Sequence, residues 1–174
     1  SYAELVDFVG HLSTAGCDAI IVHARKAWLK GLSPKENRDI PPLRYDVVLA
    51  LKRDFPELPI VINGGIETLD AAVDFLRDLD GVMIGRTAYH NSWILAEADR
   101  RIFGDDQPVP TRQQVLESFI PYAERQLAAG VPLNVMSRHL LGLFQGQPGA
   151  RAWRRRISEQ AHRPGAGVEV LGFG

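Results

Sequence analysis

The first residues place Leu5, Phe8, Val9 and Leu12 at i, i+3, i+4 and i+7, the spacing of a single helix face. Ala15-Gly16 ends that helix. The pattern then changes. Ala19, Ile20, Ile21 and Val22 are contiguous, as in a strand buried on both faces of a parallel sheet. Residues 24–42 read as a long loop broken by Gly31, Pro34, Pro41 and Pro42. Helical periodicity resumes over 43–55, with Val47, Val48, Leu51 and Phe55 on one side and Pro56 and Pro59 closing it. A strand PIVIN (59–63), a helix TLDAAVDFLRD (68–78) and a strand GVMIG (81–85) follow. Thr68 is the expected N-cap, and Leu69, Val73 and Leu76 the buried face of that helix.

Strands alternating with helices predict βαβ units and a parallel sheet. After a short helix the segment GDDQPVPT (104–111) reads as a connector. Beyond it the pattern is all-helical, over about 112–129, 133–145 and 149–162, and ends in a Gly-rich stretch, HRPGAGVEVLGFG, expected to be loosely held. Three parallel strands alone leave both sheet edges open. The expected fold class is therefore α/β: the C-terminal part of a (β/α)₈ TIM barrel followed by a small all-helical domain. A whole barrel takes roughly 250 residues, so five strands are expected upstream of this chain. The expected division is a barrel part over 1–103, a linker over 104–110 and a helical domain over 111–174.

Composition changes this picture little. The chain of 174 residues is 45% hydrophobic and 24% charged, as ordinary soluble proteins are, and its apolar runs are too short to span a membrane. A single cysteine, Cys17, excludes an internal disulfide framework and a zinc site built on several cysteines, and fits a reducing compartment. Charge adds more. From 134 to 174 six Arg and two Glu give +4, so with a total of −1 the remainder carries −5. Such asymmetry fits either a solvated helix face or a basic segment with an acidic partner such as RNA.

The candidate chemistry lies at the ends of the predicted strands. Gly64-Gly65 and Gly85 let a ligand approach the backbone closely, and Arg86 adds a forked cationic donor. Asn63 offers an amide that both donates and accepts. One βα unit apart, the two glycine sites suit a phosphate, as the last two loops of such barrels do. His23 ends the preceding strand and faces the same mouth. In the last helix Trp153, Ile157 and Ala161 form a packing stripe, while Arg151, Arg154, Arg155 and Ser158 fall on another face able to follow phosphates.

The stretches IVHARKAWLKGLSPKENRDIPPLRYD, INGGIETLDAA and DGVMIGRTAYHNSWILAEADRRIFG resemble the C-terminal part of the tRNA-dihydrouridine synthases. KAWLKGLSPKENR and LLGLFQGQPGARAWRRRISE are similar to the A-type subfamily in particular, and the likeness runs from His11 to about His162. The resemblance implies an FMN-binding barrel with a helical RNA-binding domain that reduces uridine in the tRNA D-loop, with NADPH recharging the flavin in the cytoplasm. It implies that His23 contacts FMN and that Asn63, Gly64, Gly65, Gly85 and Arg86 hold its ribityl phosphate. Lys35, Arg38, Arg151 and Arg154 are implied tRNA contacts. The family's proton-donating cysteine sits in a Cys-Pro loop that this chain lacks, so the donor is expected upstream and the isolated chain is expected to be inactive. No metal is expected. Two other functions fit the residues less fully: a non-catalytic RNA-binding module, and a sugar-phosphate isomerase or aldolase barrel, which gives no reason for the arginine-faced appendage.

Overall fold

The three apolar runs pair side by side in chain order as a parallel sheet. In the computed structural model, which describes residues 1–28 and 30–174, these are β1 (Ile20–His23), β2 (Ile60–Asn63) and β3 (Gly81–Met83). Leu29, inside the loop motif KAWLKGLSPKENR, lies outside the described residues. Helices α1 (Tyr2–Thr14), α2 (Tyr45–Asp54) and α3 (Leu69–Phe75) alternate with the strands, giving the predicted α/β order. The described residues form two units, Ser1–Gly85 and Arg86–Gly174.

In the first unit Ile60 and Ile62 are fully buried with Val48 and Leu51 of α2, Val9 of α1 and Ala72 of α3. Thr68 caps α3 as expected, its hydroxyl accepting from Ala71 N–H at 3.1 Å. Ala72, rather than the predicted Val73 and Leu76, fills the deepest position of that helix beside Leu69. Asp80 ties the sheet to α2. Its carboxylate accepts from Ile60 N–H and from Lys52 Nζ, each at 2.8 Å.

The expectation that β1 is buried on both faces does not hold. Its residues alternate between partly buried and exposed, and Ile21 is 55% exposed. The register aligns Ile21 with Val61 and Gly81, and His23 with Asn63 and Met83, so all six share one face. Met83 there is 38% exposed. Helices cover the opposite face only, so the described residues supply one side of a sheet whose strands are apolar on both.

The second unit is helical: α4 (Arg86–His90), α5 (Ala98–Phe103), α6 (Arg112–Ala128), α7 (Leu133–Ser137) and α8 (Ala150–Gln160), with 3₁₀ turns at Ser92–Leu95 and Val168–Leu171. The predicted helix over 133–145 stops at Ser137. From there successive turns run to 148, closed by bonds such as Leu140 N–H to the Ser137 carbonyl and Leu143 N–H to the Leu140 carbonyl. Gly142 allows this course, because a Cβ there would fall 2.5 Å from the His90 carbonyl oxygen.

The C-terminal stretch is not loosely held. Leu171 is fully buried, its carbonyl accepts from Trp153 Nε1–H at 2.7 Å, and Phe173 stacks on Phe144 with centroids 3.7 Å apart. Its glycines and Pro164 hid three apolar residues that complete this core. The stripe of Trp153, Ile157 and Ala161 is buried as its spacing predicted. No helix among the described residues is long and apolar enough to cross a membrane.

Candidate functional site

The C-terminal ends of β1 and β2 bring two predicted site residues together. His23 and Asn63 are register partners on the uncovered sheet face, and His23 Nδ1 lies 3.1 Å from Asn63 Oδ1. An amide oxygen only accepts, so in this arrangement Nδ1–H donates. Ala24 N–H donates to the Asn63 carbonyl at 2.8 Å, so the ladder holds both strand ends in register up to this pair.

The chain then turns through Gly64 and Gly65, with φ of +117° and +66°. Both values lie where side chains are disfavoured. Packing adds a second reason. A Cβ on Gly65 would sit 2.6 Å from Leu43 Cδ1, and one on Gly64 3.2 Å from His23 Cε1. The Tyr45 hydroxyl donates to the Gly64 carbonyl at 2.8 Å, and its ring meets Phe75 edge-on at 4.8 Å. Burial pushes the Tyr45 hydroxyl up from its ordinary value, so it remains a donor well above neutral pH. Leu43 and Tyr45 thus set the backbone course of the glycine pair. Sequence reading placed them in a helix and missed this role; the signal was the aromatic following Pro41-Pro42. Gly85 differs, since a Cβ there would meet nothing within 4 Å. Its small size answers no packing demand among the described residues. Arg86 opens α4 as the first residue of the second unit.

The donor set suits a phosphorylated heterocycle. An imidazole and an amide face out from the uncovered sheet face, and glycine backbone follows Asn63 directly. FMN, with ring heteroatoms and a phosphate, fits those groups.

Arg25 and Asn37 shape the loop over 24–42. The Arg25 guanidinium donates to the carbonyls of Asp39 and Pro41. The Asn37 side chain accepts from Trp28 N–H at 2.7 Å and donates to the Trp28 carbonyl at 3.0 Å. Lys35 and Arg38 are exposed around the 3₁₀ turn Glu36–Arg38 that Asn37 anchors. In the second unit Arg151 is exposed, and Arg154 is half-buried and donates to Gln145 Oε1 at 3.3 Å. Both lie on α8 away from its buried stripe. Among the described residues no His, Cys, Asp and Glu cluster is arranged to hold a metal ion.

The pattern of the family described as dihydrouridine synthase (Dus) matches residues 1–171. The tRNA-dihydrouridine(20/20a) synthase of Vibrio vulnificus (strain CMCP6) is 55% identical over 172 residues, 98% of this chain and 53% of its own length. The Salmonella typhimurium (strain LT2) protein of that name is 56% identical over 172 residues, 98% of this chain and 52% of its own. That of Shewanella oneidensis is 54% identical over 171 residues, 98% and 51%. The chain spans about half the length of the curated relatives it matches. A family match over nearly every residue, with relatives this similar, places the chain in the dihydrouridine synthase family, in its A-type branch.

Proposed function

We propose that this chain belongs to an enzyme that reduces uridine to 5,6-dihydrouridine in the D-loop of tRNA, in the cytoplasm, with FMN as cofactor and NADPH as co-substrate. In this reading residues 1–103 are the C-terminal part of a (β/α)₈ barrel, 104–110 a linker and 111–174 a helical tRNA-binding domain. The observation that carries it is the His23–Asn63 pair on an uncovered apolar sheet face at the C-terminal strand ends. Ligands of parallel α/β folds bind at that end.

When bound, the flavin supplies hydride chemistry that no side chain of this chain offers. His23 and Asn63 contact it, their mutual bond fixing the imidazole tautomer and the direction of the amide. Backbone at Gly64, Gly65 and Gly85, with the Arg86 guanidinium, holds its phosphate. Lys35, Arg38, Arg151 and Arg154 neutralise phosphates of the tRNA and keep it in place while the target base leaves its stack, a step costing a few kcal/mol. The acid that protonates the base lies outside residues 1–174.

Purified full-length protein should be yellow and should form dihydrouridine in unmodified tRNA when given NADPH. Replacing His23 or Asn63 by Ala should lower flavin content in parallel with activity. A full-length protein that is colourless, and stays so after FMN is added, would defeat the proposal.

A further inference from the structure

The second unit contains a cleft of about 450 Å³, of whose lining only Arg154 has been given a ligand-binding role so far. It lies between Tyr89, His90 and Asn91 on one side, the turns carrying Arg138 and Gly142 on another, and Arg154 of α8. Two guanidiniums face it and no Asp or Glu lines it. Arg154 is held at the wall by Gln145, itself a lining residue. The Tyr89 side chain is 53% exposed yet fixed: its hydroxyl shares a hydrogen bond of 3.1 Å with His139 Nδ1. His90 and His139 meet its ring edge-on at 5.5 and 5.9 Å. Gly142 sets the spacing, since any side chain there would strike the backbone of Tyr89 and His90.

A hydrogen-bonded aromatic ring with an accessible surface, in a cleft lined by two arginines and no acids, matches the chemistry of an unpaired nucleotide. Arginines hold the phosphate, and the ring offers a surface on which a base stacks. A base inside a duplex is already stacked on its neighbours and has no such surface to offer. We propose that this cleft binds one unpaired nucleotide of the RNA, its phosphate on Arg138 and Arg154 and its base on Tyr89. This contact anchors the substrate without taking part in the chemistry. It rests on the tRNA reading above and deepens it.

The test is equilibrium binding of unmodified tRNA to the full-length protein across a salt series, with steady-state kinetics on the same samples. Arg138→Gln should weaken binding about tenfold and reduce the slope of log K against log salt by about 0.7, one single-strand phosphate. It should raise KM for tRNA and leave kcat unchanged. Tyr89→Ala should weaken binding about tenfold, whereas Tyr89→Phe and Tyr89→Trp, which keep the ring, should bind like the parent. Thermal midpoints and flavin content of each variant check folding; if Tyr89→Ala is unfolded, Arg138→Gln and the two ring-retaining variants still decide. Parent-like binding by Arg138→Gln, or a loss in Tyr89→Phe as large as in Tyr89→Ala, overturns the cleft assignment. If Arg151→Ala weakens binding while the cleft variants do not, the cleft falls and the tRNA reading stands. A parent protein that binds no tRNA removes both.

Discussion

Gly65 is where backbone geometry and the site meet. Its φ of +66° and the 2.6 Å approach of Leu43 Cδ1 to a hypothetical Cβ both oppose any side chain. Gly65→Ala should therefore cost at least about 1–2 kcal/mol from the left-handed conformation alone. A fall in the thermal midpoint checks this cost. Trp153 is the matching residue of the second unit. It is 3% exposed, and its indole N–H satisfies the buried Leu171 carbonyl. Trp153→Phe keeps an aromatic ring but leaves that carbonyl unpaired, an expected loss of about 1–3 kcal/mol by denaturant titration. The sequence marked both residues, each for half of its reason. A Gly-Gly after a strand announces a turn, but only the fold brings Leu43 against it. The spacing of Trp153 announces burial, but its bond partner lies 18 residues away in a stretch whose composition reads as coil.

Among the elements, α6 begins with a reciprocal cap. The Thr111 hydroxyl accepts from Gln114 N–H at 3.1 Å, and Gln114 Oε1 accepts from Thr111 N–H at 2.8 Å. Thr111→Ala should destabilise the second unit by about 1 kcal/mol, measured as a lower urea midpoint. In the sheet, the bond from Lys52 holds the Asp80 carboxyl below the ordinary carboxylate range, against the opposing effect of burial. A depressed folded value means stability fully present above the unfolded value of about 4 and lost as pH falls through the folded one. Unfolding midpoints followed from pH 6 to pH 3 should drop, and Asp80→Asn should drop less over that window while being less stable at pH 6. Strands and helices of the first unit were legible because apolar period and breakers agreed there. The 133–145 segment was misread because its Leu and Met positions fit a helical period, while a backbone contact at Gly142, distant in sequence, sets its path.

For the whole chain, the uncovered sheet face decides what the 174 residues can do alone. Ile21 and Met83 are apolar and exposed beside the His23–Asn63 pair. If, as proposed, the proton donor lies outside residues 1–174, a protein consisting only of those residues should form no dihydrouridine in tRNA. Detectable product from that protein, followed by mass spectrometry of the RNA, would contradict this. It should also bind an apolar dye such as ANS, and full-length protein should bind less of it, as expected for a face that the rest of the molecule covers.

The C-terminal stretch through Leu171 and Phe173 is a latch on the core of the second unit, and it has a consequence in time. Leu116 of α6 and Leu171 share one core, yet 55 residues separate them. At about 5–20 residues per second of synthesis, α6 waits roughly 3–11 s for the side chains that cover it. During that interval its apolar stripe is exposed to chaperones, proteases and neighbouring nascent chains. Variants that weaken the latch should therefore reduce cellular yield more than their equilibrium stability alone implies.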